Sequence, residues 1–316
     1  MTYDERGLYI DEAHLEGFAE NYARGIRPIG TVSGKPAAAE LRKTLRALDD
    51  LHDALALQWA DIPSMPGAVR WLLDNRWLLR REGSSAAREL AGGEQLRFAE
   101  GGTVLQKLCG GLLHSGQGEL SDERILLFLN GFQKALILER EELALLSSGL
   151  KWAVISGLEE LYRTVSDDHA PEDEARAAGL FTALRELSTR DLGGLIEQAD
   201  CAEQALLADP AGIYPKMSRR SRAAYRRVLS DLARRQGMPE YAAAKRYCGL
   251  LRAQRETGGT WAGGCCGNLW ENRRERAAVA CISHTTYFLR CFCPYLPDLR
   301  FGAQRRFFCC WCRCLS

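Results

Sequence analysis

The feature that most restricts this chain is the helical beat of its apolar residues. From Asp11 to about Arg255 they return every three or four positions, and strand-like alternation is nearly absent. Leu41, Leu45, Leu48, His52 and Leu55 form one such stripe, entered through Gly34-Lys35-Pro36. A stripe at that spacing lies along one side of an α-helix and has to be covered, so successive stripes require helices packed on helices. The expected fold class is therefore all-α, a multi-helix bundle or stacked helix pairs. Repeats of about 30–50 residues that would signal a solenoid are not visible.

Local signals place the helix ends. Pro63 and Pro66-Gly67 punctuate, and the spacing then predicts one segment from Ala68 to Arg81 that buries Val69, Leu72, Leu73, Trp77 and Leu78. Gly83 to Gly102 reads as a loop with a short helix inside it. A helix from Gly102 to Leu113 ends in the Gly116 and Gly118 turn. Ser121 is an N-cap, with Asp122 and Glu123 favourable in the first turn that follows. Glu141 to Val165 reads as one helix with Leu145, Trp152, Ile155, Leu158, Leu161 and Tyr162 inward. Residues 166–171 form a turn and a sub-boundary. Helices are expected over Glu172–Leu187 and Leu192–Leu207, over Arg219–Gln236 behind a Ser218 cap, and over Glu240–Arg255. The domain reading is a flexible 1–12, a helical 13–256 and a disordered or poorly packed 257–316.

Composition matters at the C-terminal end. Only Cys109, Cys201 and Cys248 precede Thr260, whereas nine of the twelve cysteines follow it. Sparse thiols in a helical body fit a reducing compartment. The segment 257–316 has eight Arg, no Lys, and only Glu271, Glu275 and Asp298 as acids, an excess of five positive charges. Its cysteines fall in adjacent pairs and Cys-x-Cys runs rather than two separated Cys-x-x-Cys knuckles, so even with His284 nearby no metal site is expected. The run Cys309-Cys310-Trp311-Cys312-Arg313-Cys314 has the composition of GC-rich DNA read out of frame, in which leucine codons of the CTG type become cysteine TGC. A frameshift near Thr257 is the expectation. The N-terminus lacks the basic region and apolar core of a signal peptide, and no stretch approaches the ~18–20 apolar residues of a membrane span. As written the chain reads as cytoplasmic, soluble or peripheral.

Three stretches resemble the region that precedes the membrane spans of bacterial cyclic β-1,2-glucan synthases. The first is Trp71-Leu72-Leu73-Asp74-Asn75, with the lead-in from Gly34-Lys35-Pro36 to Leu51. The second is Leu129-Asn130-Gly131-Phe132-Gln133, running through Leu143 to Tyr162. The third is Asp209 to Met217, continuing into Arg222, Tyr225, Arg226 and Leu232-Ala233. The resemblance covers roughly Ala13 to Arg255. It departs from the family in the Tyr-rich stretch, replaced here by Gly83 to Gly102, and in the Trp missing near Glu141-Glu142-Leu143.

The resemblance implies a helical domain of a membrane glycosyltransferase that uses UDP-glucose and carries a glycoside-phosphorylase-like part. Transfer needs acids to hold a divalent metal on the diphosphate and a base for the acceptor. Neither Asp-x-Asp nor Gln-x-x-Arg-Trp occurs, and no Gly-x-Gly-x-x-Gly or phosphate loop is present. No catalytic residue and no cofactor is therefore assigned, and the purified chain is not expected to turn over UDP-glucose. Trp71, Asp74, Asn75, Phe132, Gln133, Tyr214 and Tyr225 are expected to act as fold determinants, with Asp74 and Asn75 bonded to a neighbouring turn.

The expected partners are the membrane and transferase parts of a parent synthase. An alternative is a free-standing helical interaction or regulatory protein that meets an anionic surface through Arg219, Arg220, Arg222, Arg226 and Arg227. Lipid headgroups are the anionic surface in view, and no nucleic acid is expected. The competing account of these arginines is a solvated helix face whose charge neighbouring acids cancel.

Overall fold

A computed structural model describes residues 9–60, 65–164, 171–210 and 212–256. The described chain is helical throughout apart from one small sheet. In the N-terminal part come α1 (Glu12–Arg24), α2 (Lys35–Gln58), α3 (Gly67–Asp74), α4 (Arg76–Ala91), α5 (Val104–Ser115) and α6 (Asp122–Ala135). They are followed by α7 (Arg140–Ala144), α8 (Leu146–Thr164), α9 (Pro171–Thr189), α10 (Gly193–Ala199), α11 (Cys201–Leu207), α12 (Arg219–Arg235) and α13 (Glu240–Glu256). The all-α class read from the apolar spacing stands. Among the described residues no helix is long and apolar enough to cross a membrane.

The helices pair as their stripes demand. Helix α1 lies along α6, α2 runs against α4, and α8 fills the centre against α2, α4, α5 and α9. Close approach of α1 and α6 depends on Gly131, where a Cβ would overlap the Glu16 backbone carbonyl. One apolar core runs through these elements from Leu15 to Ala199, with Phe128, Phe132 and Phe181 among its fully buried side chains. Both α8 and α9 contribute to it, so the chain on either side of residues 165–170 belongs to one core. A second, smaller cluster joins Ala202, Leu206, Tyr214, Tyr225, Leu229, Ala233, Ala244 and Cys248 across α11, α12 and α13.

Several boundaries differ from the sequence expectation, each for a local reason. The segment 68–81 is two helices broken at Asn75, whose backbone ends α3 and opens α4. The break shifts the helical phase, which leaves Trp77 57% exposed with Arg81 packed over its ring. Stretch 83–102 is not mainly loop: α4 continues to Ala91, and β2 (Leu96–Ala99) and β3 (Gly102–Thr103) follow. With β1 (Pro28–Val32) they make an antiparallel sheet in the order β1-β2-β3.

Residues 9–12 belong to the ordered body. The Ile10 amide bonds Ser115, Asp11 caps α1, and the buried Arg124 donates to the Tyr9 hydroxyl and the Ile10 carbonyl. The segment 141–165 splits at Leu145: a reciprocal capping box of Glu139 and Glu142 starts the separate short α7, and Leu145, at φ −97° and ψ 7°, ends it. Span 192–207 splits at Asp200, whose carboxylate caps α11 by accepting from Ala202 and Glu203 amides, each at 2.9 Å. The caps at Ser121 and Ser218 are present as expected. Gly237, with φ of +65°, ends α12 by letting its own and the Met238 amide turn back onto Arg234 and Ala233. The tail 257–316 lies outside the described residues, and so do the cysteines beyond Thr260, His284 and most of the sub-boundary at 166–171.

Candidate functional site

Polar chemistry in the described chain concentrates where the two apolar clusters meet, around Asp200. Capping alone would use that carboxylate, yet it also accepts from Arg226 Nη1 at 3.0 Å. Arg226 reaches the joint because α12 buries Tyr225, Leu229 and Ala233, which sets residue 226 at the edge of the same face. Its other terminal nitrogen meets Glu240 at 3.1 Å, and Glu203 lies 3.5 Å away. Glu240 also accepts from Ser230 at 2.5 Å.

The network continues outward. Glu203 takes Arg222 at 3.0 Å on one oxygen and the Tyr214 hydroxyl at 2.6 Å on the other. Arg222 and Arg219 both meet Glu197, at 2.9 and 3.1 Å. Burial by itself would lower the Arg226 pKa, but Asp200, Glu240 and Glu203 outweigh it and hold the guanidinium above its usual value. Burial, reinforced by the bond to Glu203, raises the Tyr214 hydroxyl. Burial raises Tyr225 as well, with Tyr247 contributing.

One contact fastens this network to the body, and another holds the body residue just before it. The Glu240 amide donates to Glu139 at 3.3 Å, and burial pushes the Glu139 carboxyl above its ordinary range. Gln133, buried at the end of α6, donates to the Ala199 carbonyl at 2.7 Å and accepts from the Leu138 amide at 3.3 Å. Beside them Arg97 pairs with the buried Glu142 at 2.5 Å and donates to the Ile137 carbonyl at 2.7 Å.

The structure disperses the sequence-selected residues among three joints. Trp71 stacks on Phe181 of α9, with ring centroids 6.1 Å apart. Asn75 donates to the Trp71 carbonyl at 2.8 Å and accepts from Arg185 of α9 at 3.1 Å. Asp74 is exposed instead of bonded to the neighbouring turn, because the break at Asn75 leaves it on the outer side of α3. Phe132 is fully buried against Phe128. Tyr214 packs edge-on to Tyr225 at 5.4 Å, and Tyr225 meets Tyr247 at 5.8 Å.

The five arginines of the alternative reading, a shared anionic contact, do not lie on one exposed surface. Arg226 is buried and Arg222 mostly covered, both turned inward to acids, while Arg219, Arg220 and Arg227 are exposed. Sequence reasoning missed Asp200, Glu203 and Glu240 as the acids that hold these arginines. A signal was present: each acid sits at a helix start or one turn from it, facing the Arg-rich helix.

Chemically, this arrangement binds its own charges. The carboxylates are occupied by guanidinium and hydroxyl groups, and among the described residues no cluster of three His, Cys, Asp or Glu is arranged for a metal ion. Burial raises all three described thiols, Cys248 to about 11, so they stand as neutral thiols near neutral pH. No protein-family model and no curated protein matches this chain.

Proposed function

We propose that the described helices form a non-catalytic packing and orientation domain of a cyclic β-1,2-glucan synthase-like protein, whose membrane and transferase parts would act on UDP-glucose. One observation carries the reading: the residues expected to be fold determinants, Asp74 apart, pack or bond between helices rather than converge on a common cavity. Trp71 and Asn75 tie α3 and α4 to α9. Gln133 ties α6 to α10, and Tyr214 and Tyr225 build the core beside that joint. Residues selected for architecture would be recognisable in this way even where no chemistry occurs.

Sequencing the genomic DNA around codon 257 and translating every frame tests the proposal. The expected result is a frame that encodes Leu- and Phe-rich membrane spans and then Asp-x-Asp and Gln-x-x-Arg-Trp. An isolated gene with neither would contradict it, as would transfer of glucose from UDP-glucose by the purified chain alone. A second reading, a free-standing helical interaction protein, is favoured by the outward face of α12.

A further inference from the structure

We propose that the outer face of α12 docks on anionic phospholipid headgroups through a row of arginines centred on Arg220, Arg227 and Arg234. The proposal sharpens the second reading and replaces the residue set expected from sequence. Residues seven apart on a helix lie two turns apart on nearly one line, about 10 Å along the axis. Arg220, Arg227 and Arg234 therefore form a straight stripe, with Arg219 and Arg235 at its ends, and all five are exposed.

The exposed residues between them are Ala223, Ala224 and Asp231, so no bulky side chain stands above the guanidiniums. Among the described residues two of the five have an ion-pair partner, both at the solvent face: Arg219 with Glu197, and Arg234 with Asp231 at 3.7 Å. The opposite face buries Tyr225, Leu229 and Ala233. The helix cannot roll to insert an apolar side, so contact is electrostatic and at headgroup level.

Charge is divided along the chain in the same sense. From Asp200 to Glu256 twelve Lys and Arg face six Asp and Glu, whereas residues 1–199 have 22 against 32. Three of those six acids, Asp200, Glu203 and Glu240, turn inward to Arg222 and Arg226, which leaves the outer side of α12 more positive than its composition. A flat anionic surface fits a straight row with alanine beside it, in which one exposed acid, Asp231, stands among five arginines. Nucleic-acid phosphates carry the same charge, but a duplex is curved, whereas a row about 20 Å long on one straight helix lies flat against a bilayer, and the duplex arm of the test separates the two.

Cosedimentation of the full chain with phosphatidylcholine vesicles, with and without about one third phosphatidylserine, tests the row. The chain should bind only the anionic vesicles, and more weakly as salt rises. The variant Arg220→Gln/Arg227→Gln/Arg234→Gln should lose roughly 100-fold in partition, about fivefold for each arginine. A charge-matched control, Arg42→Gln/Arg70→Gln/Arg88→Gln, should change it less than about threefold. All six sites are exposed, and circular dichroism checks that the helices remain.

Equal losses in the two variants would overturn the proposal, as would equal binding to neutral vesicles. So would a stripe variant that still binds anionic vesicles but loses affinity for a duplex oligonucleotide, or loses self-association seen by sedimentation equilibrium. The assay contains no sugar nucleotide, so its failure leaves the synthase reading standing, and the reverse also holds.

Discussion

The region from Tyr9 to Ala199 and the region from Asp200 to Glu256 are both helical, but they are held by different forces. The first packs Leu and Phe from α1 through α10 into one core and keeps most of its charges at the rim. The second has a small cluster of tyrosines, alanines and two leucines, and supplements it with Arg226 set among three carboxylates. A short helical unit has too little apolar surface to bury, and polar networks then set its geometry. The lesson is that loss of a methylene should hurt the first region, while loss of a charge should hurt the second.

The largest effect should come from the apolar side. Phe132→Ala removes a fully buried ring and should destabilise the body by about 4 kcal/mol, read as a lower midpoint in guanidinium unfolding. Arg226→Met should come next, at about 3 kcal/mol, since it leaves Asp200, Glu203 and Glu240 without their shared cation. If Arg226→Met proved neutral, the contrast between the regions would lose its basis.

Gln133→Ala should cost about 2 kcal/mol by leaving the Ala199 carbonyl and the Leu138 amide unpaired at the joint. Its signature would be a separation of the two unfolding transitions, fluorescence of the body against exchange in α12 and α13. A Gln133→Glu variant, which keeps an acceptor for Leu138 alone, sharpens the assignment.

The smallest effect concerns pH within the body. Burial would raise the Glu82 pKa, but Lys151 and Arg81 outweigh it and hold the carboxyl below its ordinary value. A depressed folded pKa gives stability that is present above the unfolded carboxylate range and lost as pH falls through the folded value. Glu82→Gln should therefore cost roughly 1–2 kcal/mol at neutral pH, and the difference from wild type should vanish in acid. Glu139 has the opposite sign, since burial raises its folded pKa. Its contribution is fully present below the ordinary Glu range and disappears as pH rises through the folded value. Acid therefore relieves a buried charge there while weakening the bond from the Glu240 amide.

Legibility in the sequence did not follow that division. Periodicity and caps placed most helices in both regions, with Ser121 capping α6 in the body and Ser218 capping α12 in the second. The strands were hidden because β1 is five residues and almost wholly exposed, and β2 is four, too short for alternation to register. The breaks at Asn75, Leu145 and Asp200 were missed for a different reason. Apolar spacing continues across them; Arg185 and Arg226 bond the residues at two of the breaks from distant helices, and the Glu139–Glu142 box starts a separate short helix ahead of the third.

The candidate site was half visible. Tyr225, an expected fold determinant, lies in the second cluster, and Gln133, another, bonds Ala199 beside the joint. Arg222 and Arg226 could not be separated from Arg220 and Arg227 by charge counting, since the partners Glu203 and Asp200 lie 19 and 26 residues away.

Native-state hydrogen exchange on wild type and Arg226→Met tests the two-part construction most directly. The expected result is loss of protection in α11, α12 and α13, with the amides of α5, α6 and α8 exchanging as before. Uniform loss across all helices, or none anywhere, would mean that the arginine among its carboxylates does not hold the second region in place.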